Sequence, residues 1–300
     1  MINIKELAKK KEMFQGGHHM CAGCGAAVAI RQALIALSDK PVVSVSATGC
    51  VEVATSLIPS TSWLIPWFHS AFENSAASAS GIWAAYKALK KKMCLPDGLQ
   101  IIVFGGDGGT YDIGLQSLSG AAERGDNFIY VCYNNEAYMN TGMQKSSATP
   151  EFALSSTTPE MKKNNPKDLT KIMIAHNIEY AAQASIGYQV DYMNKVQKAT
   201  TFDGVKFINV ITPCTRGWGF EPSETINYAK KATDTGFWPS YEVSHGKYHI
   251  TQNKSLKPIS EFLEGQKRYN LDKNSLEIIQ KNVYNRWGDL LRLENEKQTK

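Results

Sequence analysis

The sequence predicts an open, mostly parallel α/β sheet with helices on both faces and a helical tail. Short β-branched runs ending in glycine-containing turns alternate with stretches of helical periodicity. The 300 residues are 43% hydrophobic, enough to cover such a sheet on both sides.

Taken in order, Ala26 to Leu37 spaces its apolar residues as one face of a helix. Pro41-Val-Val-Ser-Val-Ser-Ala47 reads as the first buried strand. Phe72 to Lys92 is rich in Ala and Ser, which suits a helix lying close on a sheet. Gln100-Ile-Ile-Val-Phe104 is the second strand. Asp112 to Arg124 is a helix opened by an Asp and stopped at Gly125. Asn127-Phe-Ile-Tyr-Val-Cys-Tyr133 and Val205-Lys-Phe-Ile-Asn-Val-Ile211 complete four strands. Met143 to Asp168, rich in Ser, Thr, Pro and Asn, reads as a long functional loop. From about Pro258 onward the chain is polar and helix-prone, with Trp287, Leu290 and Leu291 as a small apolar face. The expected division is a binding domain over 1–255 and a helical arm over 256–300, packed on this chain or on a neighbour.

The formal charge of +5 and the absence of any dense basic stretch argue against a nucleic-acid partner. No run of about 18 apolar residues offers a membrane span, and the lysine-rich start lacks an apolar signal core. A cytoplasmic protein is expected. Its six cysteines then read as metal ligands, reactive thiols or small core residues, not disulfides.

The most informative stretch is Gly105-Gly-Asp-Gly-Gly-Thr-Tyr-Asp-Ile-Gly114, between a strand and a helix. Glycines let backbone N–H groups approach a diphosphate, and the following helix start adds positive potential. An acid in such a turn suits a bridging divalent cation. Gly-Asp-Gly alone also fits an ordinary turn. Asn134-Asn135 follows after 25 intervening residues (109–133), enough for one helix and one strand. A right-handed βαβ unit would return the chain to the same sheet edge and set the Asn135 oxygen beside Asp107.

Cys21-Ala-Gly-Cys24 can present two thiolates to one centre, and Cys50 and Cys214 each follow a predicted strand. By spacing alone the four fit an iron–sulfur cluster, a zinc ion or unligated thiols. Cys132 reads as a buried strand residue and Cys94 as a loop residue without partners.

Together the two motifs resemble the thiamine-binding beta subunits of the 2-oxoacid:ferredoxin oxidoreductases, the pyruvate branch above all. The matching segments are Met20-Cys-Ala-Gly-Cys-Gly25, Thr48-Gly-Cys50, Pro66-Trp-Phe-His-Ser-Ala-Phe-Glu-Asn74, Gly106-Asp-Gly108, Asn135-Glu-Ala-Tyr-Met-Asn-Thr-Gly142 and Pro213-Cys-Thr-Arg-Gly-Trp218. The resemblance implies thiamine diphosphate and Mg²⁺, with Asp107, Asn135 and the carbonyl of Ala137 as Mg²⁺ ligands. It implies one 4Fe–4S cluster on Cys21, Cys24, Cys50 and Cys214. It implies a cofactor lining of Cys50, Gly106, Asp107, Gly108, Gly109, Asn135, Glu136, Ala137, Tyr138, Met139 and Asn140. Asn140 is the candidate catalytic donor to the substrate's former keto oxygen.

The implied activity is CoA-dependent oxidative decarboxylation of pyruvate to acetyl-CoA and CO₂, with electrons passed to ferredoxin. The implied partners are an alpha subunit that supplies the activating glutamate, together with gamma and delta subunits. Glu52, Glu73 and Glu136 lie near the motifs but in no recognisable pyrimidine-binding segment, and His18, His19 and His69 read as structural. The chain departs from many relatives at Gly109-Thr110 and at Phe152-Ala-Leu-Ser-Ser. A paralogue acting on oxalate or another 2-oxoacid therefore stays open. A single-chain thiamine decarboxylase, a non-catalytic iron–sulfur subunit and a zinc scaffold are the other readings.

Overall fold

The computed structural model describes residues 4–7, 9–57 and 61–296. Residues 1–3 and 8 of the lysine-rich start and 297–300 of the expected arm lie outside them. The elements are α1 (Ile4–Leu7), α2 (Gly25–Ala36), β1 (Val42–Ala47), α3 (Cys50–Thr55), β2 (Trp67–Ser70), α4 (Ser75–Leu89), β3 (Gln100–Gly106), α5 (Leu115–Arg124), β4 (Phe128–Asn134), α6 (Leu169–Ala175), β5 (Tyr180–Ser185), α7 (Gln189–Ala199), β6 (Val205–Ile211), α8 (Thr225–Asp234), β7 (Tyr241–Ser244), β8 (Lys247–Ile250), α9 (Ser260–Leu263) and α10 (Lys273–Asn295).

The strands form one eight-stranded sheet in the order β2-β1-β3-β4-β6-β5-β7-β8. Strands β1 to β6 pair in parallel, and the β7–β8 hairpin closes one edge antiparallel. The hairpin turns on His245 and Gly246, both at positive φ (47° and 76°). That is the two-residue geometry that matches strand twist.

The four expected strands are present; β2, β5, β7 and β8 add to them. The helix expected from Phe72 starts at Ser75, and the one expected from Asp112 starts at Leu115. A π-helical turn, Gly108–Ile113, occupies the intervening space. Asp112 does not cap the helix, because its carboxylate is taken by Tyr138 Oη (3.1 Å), the Ser147 N–H (3.0 Å) and Lys167 Nζ (3.3 Å). Gly125 ends α5 in the left-handed conformation, as expected.

Two apolar layers sandwich the sheet. On one face, Ala29, Ile30 and Ala33 of α2 with Tyr192 and Val196 of α7 cover Phe104, Val131 and Ile208. On the other, Ala76 and Ala79 of α4, Leu118 of α5 and Met173 of α6 cover Val103, Tyr130 and Phe207. Helix α10 packs on this chain: Ile279 and Val283 lie with Trp218, Phe237 and Phe262, while Trp287 and Leu290 lie against Tyr241, Val243 and Ile250. Leu291 is only half-buried. The 143–168 stretch contains no helix or strand and is held by side chains, as the site shows.

Candidate cofactor site

The carboxyl ends of β1, β3 and β4 open into one cavity of about 550 Å³, open mouth included. Thr48, Gly49, Cys50, Phe72, Gly106–Gly109, Tyr133, Asn135 and Ala137–Thr141 line it. The position follows the rule for ligand sites in open α/β sheets. The Tyr138 ring crosses the Gly-Asp-Gly turn. A Cβ on Gly108 would stand 2.5 Å from that ring, so only glycine lets the two loops close on each other.

Asp107 sits at the floor, 1% exposed. Burial pushes its carboxyl up to about 7, against the pull of Ser146 Oγ and the Asn135 N–H. Those two donors stand 2.5 and 3.2 Å from the carboxylate. The Asn135 side-chain oxygen lies 3.1 Å from Asp107 Oδ1 and 2.9 Å from the Ala137 carbonyl oxygen. Turned over, the amide nitrogen would donate to both. With oxygen inward, acceptors converge as adjacent ligands of a small octahedral cation do, about 3.0 Å apart for metal–oxygen bonds of about 2.1 Å.

Glu136, expected in the lining, is turned away. Its backbone takes φ 67°, and its buried carboxylate pairs with Arg268 Nη1 at 2.6 Å. It borders a separate cavity behind the 143–168 loop. Burial raises the Glu136 carboxyl and the Arg268 charge opposes that rise. Arg268, 3% exposed, also lies 3.8 Å over the Trp218 ring. Trp218 Nε1 donates to the Asn135 carbonyl at 2.9 Å. A segment just before α10 thereby braces the turn that carries Asn135.

Cys21, Cys24, Cys50 and Cys214 come together, and the thiols act electrostatically on one another across every pair. Burial followed by this repulsion pushes Cys24 up to about 11 and Cys50 up to about 12. Only a positive centre among them would draw off their protons. Cys24 precedes α2, Cys50 opens α3 and Cys214 precedes a π-helical turn, Thr215–Gly219. Cys214 Sγ accepts from the Gly217 N–H at 3.4 Å. The Cys21 and Cys214 turns are tied by Thr215 Oγ1 to the Ala22 carbonyl (3.3 Å) and the Gly25 N–H to the Pro213 carbonyl (3.3 Å). Among the described residues, no three His, Cys, Asp or Glu side chains close on a single ion. Cys94 is exposed and Cys132 buried in β4, both apart from the four.

Asn140 is exposed at the rim, with Met139 and Tyr138 beside it in the lining. His69 Nε2 lies 2.9 Å from Thr48 Oγ1, and His18 stacks on Phe14 at 5.3 Å. Thr48, Gly49, Phe72, Tyr133 and Thr141 join the lining without having been singled out as site residues. Thr48, Gly49, Phe72 and Thr141 lay inside the matching segments and Tyr133 in an expected strand; Ser146 and Arg268 carried no local signal, since only the tertiary fold brings them in.

Residues 47–210 match the family described as thiamine pyrophosphate enzyme, C-terminal TPP binding domain. The chain is 49% identical over 283 residues to pyruvate synthase subunit PorB of Methanocaldococcus jannaschii, covering 91% of this chain and 95% of that one. It is 44% identical over 314 residues to the Thermotoga maritima subunit of that name, covering 98% and 97%. Ketoisovalerate oxidoreductase subunit VorB of Pyrococcus abyssi is 41% identical over 292 residues, 94% of each chain. The fold also resembles a solved 2-oxoglutarate:ferredoxin oxidoreductase from Magnetococcus marinus, with TM-score 0.57, 19% identity and coverage of 92% and 89%. No helix among the described residues is long and apolar enough to cross a membrane. The chain belongs to the thiamine pyrophosphate enzyme family, among the beta subunits of the 2-oxoacid:ferredoxin oxidoreductases.

Proposed function

We propose that this subunit holds thiamine diphosphate, Mg²⁺ and one 4Fe–4S cluster for the oxidative decarboxylation of pyruvate to acetyl-CoA and CO₂. One observation carries the reading. Cys50 belongs both to the wall of the cofactor cavity and to the gathered thiols. A two-electron oxidation at a cofactor in that cavity thus has a one-electron acceptor at its wall.

Thiamine diphosphate would supply the carbon nucleophile and the cluster the electron acceptor. The rest is done by this chain. Backbone N–H groups of Gly106–Gly109 and the start of the π-helical turn face the diphosphate. Asp107, Asn135 and the Ala137 carbonyl hold Mg²⁺, and Ser146 orients the Asp107 carboxylate. Cys21, Cys24, Cys50 and Cys214 hold the cluster. One Cys-x-x-Cys pair joined by two single, distant cysteines favours a cluster over zinc, which usually takes paired motifs. Asn140, at the rim, would donate a hydrogen bond to the keto oxygen of the substrate.

Among the described residues, no glutamate lines the cavity. The activating carboxyl therefore comes from an alpha subunit, and the active centre forms where the two chains meet. Gamma and delta subunits, CoA and ferredoxin complete the proposed system, in the cytoplasm. Pyruvate is favoured over a branched 2-oxoacid because the PorB chains of Methanocaldococcus jannaschii and Thermotoga maritima, at 49% and 44% identity, exceed the VorB chain of Pyrococcus abyssi at 41%, while the PorB chain of Pyrococcus horikoshii stands level with it at 40%.

The test is a visible and EPR spectrum of the anaerobically co-expressed complex, before and after pyruvate with thiamine diphosphate and CoA. Bleaching with a reduced-cluster signal is expected. Reduction by ketoisovalerate or oxalate but not pyruvate would replace the substrate. A complex free of iron and sulfide in iron-replete medium would refute the cluster.

A further inference from the structure

Tyr133, next to last in β4, is 2% exposed. Its ring belongs to the core layer that includes Val51 of α3 and, half-buried beside it, Cys24. Its hydroxyl is buried and has no hydrogen-bond partner. A buried hydroxyl without a partner is costly, and phenylalanine would fill the same core space without that cost.

The side chain nevertheless lines the cofactor cavity, together with Gly49, Cys50 and Gly106. A Cβ on Gly49 would stand 3.0 Å from the hydroxyl oxygen, and one on Gly106 would stand 3.2 Å from the ring. Two residues without side chains therefore make room for the phenol at the cavity wall. Gly49, the residue whose Cβ position lies against the hydroxyl, directly precedes Cys50, and the Cys50 side chain lines the same cavity. The hydroxyl thus stands at the boundary between the cofactor cavity and the gathered thiols, with a proton to give.

We propose that the Tyr133 hydroxyl donates a hydrogen bond to the Cys50 sulfur of the loaded cluster and thereby raises its reduction potential. The inference rests on the cluster reading above. A reduced cluster carries one more negative charge than an oxidised one, so a donor to a ligand sulfur stabilises the reduced form more. Tyr133 is a positioning and tuning residue; it takes no proton from substrate.

The experiment is an EPR-monitored redox titration of the complete complex, wild type against Tyr133→Phe, with thiamine diphosphate affinity measured alongside. The variant is expected to keep the cluster and the cofactor affinity. Its reduced-to-oxidised ratio at fixed solution potential should fall up to about tenfold, which is 59 mV for one electron. In wild type exchanged into D₂O, deuteron ENDOR should show a coupled deuteron at the cluster that the variant lacks. This second readout holds the inference to account even if the variant loads poorly, because wild type without a coupled deuteron would overturn it. An unchanged potential on an intact cluster would overturn it too. Weaker thiamine diphosphate binding at unchanged potential would assign the hydroxyl to the cofactor instead. Wild type devoid of cluster would mean that the proposed function, not only this donor, is wrong.

Discussion

Replacing Arg268 with Met should cost this protein about 3–5 kcal/mol, because it strands a buried carboxylate. The side chains of Arg268 and Glu136 are 1% and 3% exposed, with 2.6 Å between Nη1 and Oε2. Water cannot replace the lost partner. Met keeps apolar contact with Trp218 but forfeits the cation over that ring, a further contribution of up to about 2 kcal/mol within the same measured loss. Urea unfolding of Arg268→Met, Glu136→Gln and the double variant forms a cycle that isolates the pair. The double variant should recover at least about 2 kcal/mol relative to Arg268→Met alone, since a neutral amide is cheaper to bury than an unpaired charge. Acidity supplies an internal check. Burial already raises the Glu136 carboxyl above its ordinary 4.5, and removing Arg268 takes away the main opposing pull. A carboxyl raised in the folded state costs nothing below its unfolded pKa, and its cost grows as pH rises toward its folded pKa. The deficit of Arg268→Met should therefore narrow as pH falls from 7 toward 4.5. A loss below about 1 kcal/mol, or no coupling in the cycle, would refute the reasoning.

Asp107→Asn keeps the shape of the cavity floor but removes its charge; calorimetry should show Mg²⁺-dependent thiamine diphosphate binding weakened by roughly 100-fold or more. Gly108→Ala should cost about 1–3 kcal/mol in thermal unfolding, because the added Cβ meets the Tyr138 ring at 2.5 Å. Lys162 is lowered to about 8 by burial, so its cost is present at neutral pH and fades as pH rises through 8. Stability of the wild type should rise between about pH 8 and 10.5, and Lys162→Met should flatten that rise in a denaturation series.

The cores of β1, β3, β4 and β6 were legible because each is a β-branched run buried on both faces. Strand β5, Tyr-Ala-Ala-Gln-Ala-Ser, has a weak strand propensity and owes its conformation to pairing with β6 and β7. Strands β2, β7 and β8 have four residues each, too few for periodicity to register. In the site, Asp107 and Asn135 could be paired from the chain length between them, since one βαβ unit spans that gap. Cys50 and Cys214 were placed by the strands they follow. Glu136 could not be oriented, because its direction depends on Arg268, far away in sequence. Ser146 and Tyr133 were unreadable for a related reason: each acts through burial against a neighbour that only the packed sheet supplies.

The brace between Glu136 and Arg268 also sets an order of events during synthesis. The 131 residues between them (137–267) emerge at about 5–20 per second. For a time on the order of 10 seconds the turn carrying Asn135 exists without its counter-charge. A carboxylate that cannot be buried unpaired keeps that turn solvated through this interval. The floor of the cavity then sets only once the segment ahead of α10 has left the ribosome, so the oxygens that would hold a cation are among the last parts of the subunit to become rigid.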